Sequence, residues 1–563
     1  MNHRGASSTR ATKDVRAVAE EAGFVAEHVV AHGPYKAKID HRLGVGPPRA
    51  TSKYVLVTAI TPTPAGEGKT VTTIGLSMAL NRLGQRAIAT IRQPSMGPVF
   101  GVKGGGAGGG RSQVFPMEEL NLHLTGDFHA IAAANNLLAA AIDTSLLLDN
   151  PLDLDASAIT WRRVLDMNDR ALREVRIGLG GSKNGVPRDA GFDITPASEV
   201  MSLVGLASDR QDLRGRLDRI VIGANTAGQP VTAGDLEVSG AMAALLRETV
   251  DPTLMQSCEG TPVLVHTGPF ANISYGNCSV LADRVAASVS DYVVTEAGFG
   301  ADMGAEKFFN IKCRFSGMKP DAAVLVATVR ALKAHSGHYP LKAAQPLPPE
   351  LSEENLPALA EGCENLEAQI ANVLLHGVPV VVAVNRFPAD SQAEIALVKE
   401  RALAAGAVAC ETCEVFERGG EGGEALASAV VAAAESGGAS FRYLYELDAS
   451  IRSKVETIAT RLYGAGSVEF SPQALREMAR YEETGHRGLP VCVAKTQYSL
   501  SHDAQFKGRP HGFVFPVRAV RLYAGAGFLV PLAGDIMTMP GLGRSPAYRG
   551  IDMDADGRIT GLF

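Results

Sequence analysis

The stretch VLVTAITPTPAGEGKT, from Val55 to Thr70, is an apolar β-branched run that gives way to a loop ending in Gly68-Lys69-Thr70. A run of this kind reads as a strand buried on both faces. Gly66 and Gly68 allow the backbone to approach an anion, and Lys69-Thr70 open a helix whose first N–H groups face phosphate oxygens. A phosphate-binding loop is written G-x-x-x-x-G-K-S/T, and here Thr63 stands where the first glycine belongs. That departure weighs against a guanine-nucleotide switch and leaves phosphate binding intact. The expected nucleotide contacts are Thr63, Pro64, Ala65, Gly66, Glu67, Gly68, Lys69 and Thr70, with Lys69 adding positive charge and the Thr70 hydroxyl in reach of Mg2+.

Outward from this loop, short apolar runs alternate with longer helical stretches. The pattern predicts an α/β fold: a P-loop-containing, mostly parallel sheet flanked by helices, with two further smaller α/β domains. Predicted strands are Tyr54–Ile60, Arg86–Ile91, Arg219–Gly223, Pro262–His266, Tyr292–Glu296, Ala323–Ala327 and Pro379–Asn385. Helices are predicted over Thr70–Leu83, Phe128–Asp143, Gly240–Glu248, Ser279–Ser288 and Gln392–Ala404. The loop-like HSGHYPLKAAQPLPP, His335 to Pro349, places a domain boundary near residue 360. Ser471 and Pro472 read as the N-cap and first position of another helix. The divisions expected are an arm over 1–30, a P-loop nucleotide domain over 31–360, a second α/β domain over 361–450 and a third over 451–563.

The 563 residues carry 54 basic and 60 acidic side chains, a net charge of −6, which leaves no basic surplus for neutralising nucleic-acid phosphates. No span reaches the roughly 18 uninterrupted apolar residues of a membrane helix, and the polar N-terminus lacks the apolar core of a secretory signal. Seven cysteines without regular spacing fit a reduced, cytoplasmic setting. Cys410 and Cys413 in CETC read as ordinary thiols, since no second pair completes a zinc site, and no structural metal is expected.

One strand later comes IRQPSMGPVFGVKGGGAGGGRSQVF, Ile91 to Phe115. Arg92 falls at the carboxyl end of a predicted parallel strand, where open α/β sheets bind ligands, and its planar guanidinium suits a carboxylate or acyl phosphate. The glycine-rich Lys103–Gly110 reads as a flap or a close-approach loop.

Together with NLHLTGDFHAI, GFDITPASEVM, EGTPVLVHTGPFANI, DYVVTEAGFGADMGAEKFFNIKCR, VVVAVNRF, ERGGEGG and the terminal GRITGLF, these motifs resemble the formate–tetrahydrofolate ligase family from about Tyr35 to Phe563, in its stand-alone prokaryotic form. The resemblance implies ATP-dependent ligation of formate to tetrahydrofolate through formyl phosphate, with Mg2+, K+ or NH4+ as activator, and a homotetramer. It implies that Lys69 binds the transferred phosphate and Arg92 the formyl phosphate. It also implies that Phe299 and Asp302 in GFGAD meet the intermediate and nucleotide, and that Phe387 contacts the pterin. Two positions depart from the family pattern. Phe416 replaces a tryptophan that stacks on the other pterin face, leaving a smaller ring, and Gln93 replaces a glutamate associated with the monovalent cation.

Other motifs weigh less. DMDADG, Asp552 to Gly557, begins like a calcium loop, but its twelfth position is Phe563, so a turn before a final strand is expected. His123 and His129 favour loop anchoring of Asp127 or substrate proximity over metal. His266 suits a core or a site role equally, and KTQYSLSHD, Lys495 to Asp503, enters the active site only by resemblance. Two rival functions fit the loop. One is another carboxylate-activating ligase of dethiobiotin-synthetase type, and the other is an ATPase driven by a macromolecular partner.

Overall fold

Strand Lys53–Ala59, the apolar run before the glycine-rich loop, lies inside a 12-stranded sheet in the computed structural model of the protein. The structure describes residues 12–101, 105–339, 341, 346–534 and 536–562. The six pairings that connect Pro262–Val265, Ala87–Ile91, Tyr292–Glu296, Lys53–Ala59, Ala322–Ala327, Val380–Asn385 and Ala409–Cys413, in that spatial order, are all parallel. Each of these middle strands is buried along nearly its whole length, which explains their continuous Val, Ile and Ala runs.

Beyond Pro262–Val265 the sheet turns antiparallel through Thr253–Ser257, Ala37–Ile39 and Val29–Ala31, with Ser112–Phe115 also pairing to Thr253–Ser257. The sheet is therefore mixed, where the sequence pattern led us to expect a mostly parallel one. The reason is local. Ser257 donates its N–H to the Thr261 carbonyl at 2.8 Å across a tight turn with Gly260 at φ 78°, and so short a connection can join only antiparallel neighbours.

The run predicted as strand Arg219–Gly223 forms Val221–Ala224 instead, paired with Pro230–Thr232 in a separate two-stranded sheet. A tight turn closed by the Asn225 side chain, which accepts from the Gln229 N–H at 2.9 Å, folds it back on its own neighbour.

Residues 361–450 supply Val380–Asn385 and Ala409–Cys413 to the large sheet. Helix Leu356–Leu374 crosses back over that sheet, and its Leu359, Leu366, Ile370 and Val373 share one core with Leu325 and Val382. Within the stretch read as an arm, residues 1–11 lie outside the described residues. Val15–Ala22 is a helix capped by Asp14 that buries Val15, Val18 and Ala19 in the same core.

From Ile451 onward a second core gathers Ile451, Val455, Ile458, Val491 and Phe515. Ser471 caps helix Pro472–Glu483 as expected, its Oγ accepting from the Ala474 N–H at 3.0 Å. Helix Asp127–Leu147 is long and apolar enough by composition to cross a membrane, yet it sets Phe128, Ile131, Leu138 and Ile142 into the protein core.

Candidate active site

The candidate ligand-binding residues lie just past the carboxyl ends of parallel strands. Arg92 and Gln93 follow Ala87–Ile91, Phe299 and Asp302 follow Tyr292–Glu296, and the loop Thr63–Thr70 follows Lys53–Ala59. Phe387 follows Val380–Asn385, and Phe416 follows Ala409–Cys413. Between Arg92 and Phe387 lie four steps across the sheet, about 19 Å at the usual strand spacing. An extended ligand could therefore lie across this edge.

The loop is closed by its own side chains. Thr63 donates its N–H to Glu67 Oε1 at 2.7 Å, so the carboxylate four residues on ties together a turn whose first position lacks a glycine. Gly66 and Gly68 adopt φ of 74° and 78°, the left-handed region that glycine occupies without strain. A Cβ at Gly68 would also collide with the Asn385 side-chain amide, which donates to the Glu67 carbonyl at 3.1 Å. Lys69 Nζ stands 3.8 Å from Glu67 Oε2 at the start of helix Lys69–Arg82. The Thr70 hydroxyl donates to Glu296 Oε2 at 2.8 Å.

Glu296 is the last residue of its strand and only 5% exposed. Its other oxygen stands 3.8 Å from Arg92 Nε, so one carboxylate reaches toward both the helix start and the arginine. Arg92 is held further by donation to the Pro269 carbonyl at 3.1 Å, while its Nε is buried without a hydrogen-bond partner among the described residues. Gln93 is fixed by its backbone N–H on the Thr267 carbonyl at 2.7 Å, and its buried Oε1 has no hydrogen-bond partner among the described residues. A buried amide oxygen without a partner among the described residues, beside a guanidinium Nε that meets a carboxylate only at 3.8 Å, is a costly arrangement for a mere core.

Phe299 has φ of 60°, where a residue with a bulky side chain is strained, and such backbone clusters at ligand sites. Three residues later Asp302 turns inward. Its Oδ1 accepts from Gln369 Nε2 at 2.6 Å and its Oδ2 pairs with Lys495 Nζ at 2.7 Å, both charges being almost wholly buried. Burial pulls the Lys495 amine below its ordinary value, and Asp302 opposes that pull.

Phe387 is half-buried, its N–H donating to Asp390 Oδ2 at 2.8 Å, and the Arg330 guanidinium lies 3.6 Å from its ring centre. Phe416 is 51% exposed. Behind it the backbone of Gly109 and Gly110 approaches so closely that side chains there would meet its ring, and Arg111 N–H donates to its carbonyl at 2.8 Å. The described part of the glycine-rich segment is thus a close-approach loop under Phe416; Lys103 and Gly104 lie outside the described residues. Arg386 and Glu414, paired at 2.6 Å, join the two aromatic-bearing segments.

The remaining motifs have structural explanations. His266 is a satisfied core residue, with Nδ1 2.6 Å from Ser279 Oγ and Nε2 donating to the Thr249 carbonyl at 2.6 Å, and burial lowers its pKa to about 4. Asp127 is anchored by Lys38 at 2.7 Å, while His123 and His129 hydrogen-bond each other at 2.9 Å. All seven cysteines are free, and burial raises Cys410 and Cys413 to about 12 and about 11. Asp554 Oδ1 accepts from Asp556 and Arg558 N–H groups in a turn between paired strands Asp552–Met553 and Ile559–Thr560, while Phe563 lies outside the described residues. Sequence reasoning missed Glu296 and Arg330. Glu296 was hidden as the last letter of a strand, and Arg330 belongs to no motif.

Comparison with known proteins adds an independent finding. The family model described as formate–tetrahydrofolate ligase matches residues 4–563. A protein of that name from Roseiflexus sp. (strain RS-1) is 56% identical over 554 residues, covering 98% of each chain. Relatives so named in Desulforamulus reducens and Saccharopolyspora erythraea are 52% and 56% identical, covering 97% and 91% of this chain and 96% and 91% of their own.

Proposed function

This chain belongs to the formate–tetrahydrofolate ligase family, and from that premise we propose that it joins formate to tetrahydrofolate at the expense of ATP, through formyl phosphate. The observation that carries the reading is the Thr70–Glu296–Arg92 arrangement, which sets a phosphate loop, a carboxylate and a guanidinium side by side at one sheet edge.

Formate is a resonance-stabilised carboxylate and a poor electrophile. An oxygen of formate attacks the γ-phosphorus of ATP and ADP departs. The folate N10 then attacks the formyl carbon, and phosphate leaves with the C–O electron pair and takes up the proton that N10 gives up. Lys69 and the N–H groups of the loop hold the phosphates, and Arg92 grips the acyl phosphate through both steps. Holding reactants in near-attack geometry can supply about 7–11 kcal/mol of the barrier. Phe387 and Phe416 receive the pterin, Phe299 packs against the intermediate, and Asp302, anchored by Gln369 and Lys495, borders the nucleotide.

Thr70 and Glu296 form an all-oxygen donor set that suits Mg2+, and they would hold the ion. When bound, Mg2+ neutralises phosphate charge. Gln93 Oε1, which has no partner among the described residues, suits a weakly held K+ or NH4+.

The test is ADP release from MgATP with formate and tetrahydrofolate omitted in turn, alongside assay of the 10-formyl product. Release that needs both and matches product mole for mole supports the reading. Release indifferent to both sinks it in favour of a partner-driven ATPase.

A further inference from the structure

Strand Ala322–Ala327 lies between the loop strand Lys53–Ala59 and the strand Val380–Asn385 that leads to Phe387. The helix after it, Val329–His335, starts from Thr328 as N-cap, and its second residue is Arg330. Arg330 reaches both ways. Its Nη2 donates to the Ala65 carbonyl at 2.7 Å, and its guanidinium carbon lies 3.6 Å from the centre of the Phe387 ring. Its Nε is buried without a hydrogen-bond partner among the described residues.

We infer that Arg330 is a positioning residue that couples the nucleotide loop to the folate site. The inference rests on the function proposed above, in which the loop binds ATP and Phe387 meets the pterin. A guanidinium at this distance occupies one face of the aromatic ring, so a stacked pterin has only the opposite face. The backbone of Phe387 is pinned by Asp390, which leaves the setting of the ring to answer to Arg330. Phosphates entering the loop bear on the Ala65 carbonyl, and a rigid planar fork carries that shift to the ring. Lysine could still donate to Ala65 but has no plane to lay on Phe387.

The test uses the full chain and the variants Arg330→Lys and Arg330→Met. Calorimetry measures the affinity for a non-hydrolysable ATP analogue with Mg2+, with and without tetrahydrofolate, and the affinity for tetrahydrofolate with and without the analogue. The wild-type protein is expected to show reciprocal coupling of about fivefold or more. Arg330→Lys should bind the analogue alone within about threefold of wild type while its coupling falls below about twofold. Arg330→Met should lose the coupling as well. Coupling retained in both variants overturns the inference, and so does a wild-type coupling factor of one. Equal losses of both affinities with a lowered melting temperature in both variants would reduce Arg330 to a structural residue and overturn it too. A wild-type protein that binds the analogue but no tetrahydrofolate overturns the functional reading itself, a result visible before any variant is made.

Discussion

The hydroxyl of Thr70 donates to Glu296 Oε2 at 2.8 Å, which joins the start of the helix after the loop to the end of the neighbouring strand. Glu296→Gln keeps an acceptor for that hydroxyl and removes the negative charge. The Mg2+ concentration for half-maximal ADP release is expected to rise about tenfold or more, since hard cations prefer anionic oxygen. Titration with Mg2+, and with Mn2+ followed by electron paramagnetic resonance, would show it. An unchanged curve would remove Glu296 from the metal site.

Arg92→Ala should lower formyl transfer by about 100- to 1,000-fold, the usual loss on deleting one donor aimed at developing charge. Affinity for the ATP analogue should move little. Comparable losses in both would assign Arg92 to nucleotide binding instead.

Phe416→Trp enlarges a ring whose exposed side faces solvent and whose other side rests on Gly109 and Gly110. Tetrahydrofolate KM should fall about three- to tenfold, in keeping with about 0.5–1.5 kcal/mol for an aromatic pair. A KM that stays put would mean that this position does not meet the pterin.

Lys495→Met strands the Asp302 carboxylate in a buried setting with Gln369 as its remaining partner. Removing one member of a buried ion pair costs about 3–5 kcal/mol. Urea unfolding should show that loss, and adding Asp302→Asn should recover most of it. A double variant no more stable than the single one would contradict the pairing.

Glu199 is buried beneath the turn at Gly525 and Ala526, whose N–H groups donate to its Oε1 at 2.7 and 3.1 Å, and burial raises its pKa to about 8. The folded protein keeps a proton there that the unfolded chain gives up near its ordinary 4.5, so stability is lost as pH climbs from about 4.5 through about 8. Glu199→Gln should raise the melting temperature by an increment that grows from pH 5 to pH 8, since each tenfold difference in proton affinity between the folded and unfolded chain is worth about 1.4 kcal/mol. An increment flat in pH would mean that the carboxyl is not protonated in the folded state.

Much of the fold could be read from particular letters. Continuous apolar runs such as Val55–Ala59 and Val380–Val384 identify strands buried on both faces, and helix Gln392–Ala404 falls where the sequence placed it. The antiparallel flank was harder to see because Thr253–Ser257 begins and ends in polar letters, and nothing in a strand's own residues says which neighbour it will pair with. The proline-rich stretch before residue 360 looked like a linker, yet the chain beyond it returns to the same sheet. At the site, glycine punctuation and charged residues at strand ends revealed the loop and Arg92. Arg330 escaped notice because its role arises from Ala65 and Phe387 meeting it across three adjacent strands.

The closure of the loop by Glu67 on Thr63 has a thermodynamic consequence. A loop that must be ordered by its ligand subtracts the entropy of that ordering from binding, about 1–2 kcal/mol for each residue fixed. Here the Glu67 carboxylate and the Asn385 amide already hold the turn at Thr63 and Glu67 in the free protein, so most of that cost is met during folding and only the Ala65 carbonyl, with the Arg330 fork on it, is left to adjust. The phosphates find a mould largely set in advance, and less of their binding energy is diverted from the chemical step.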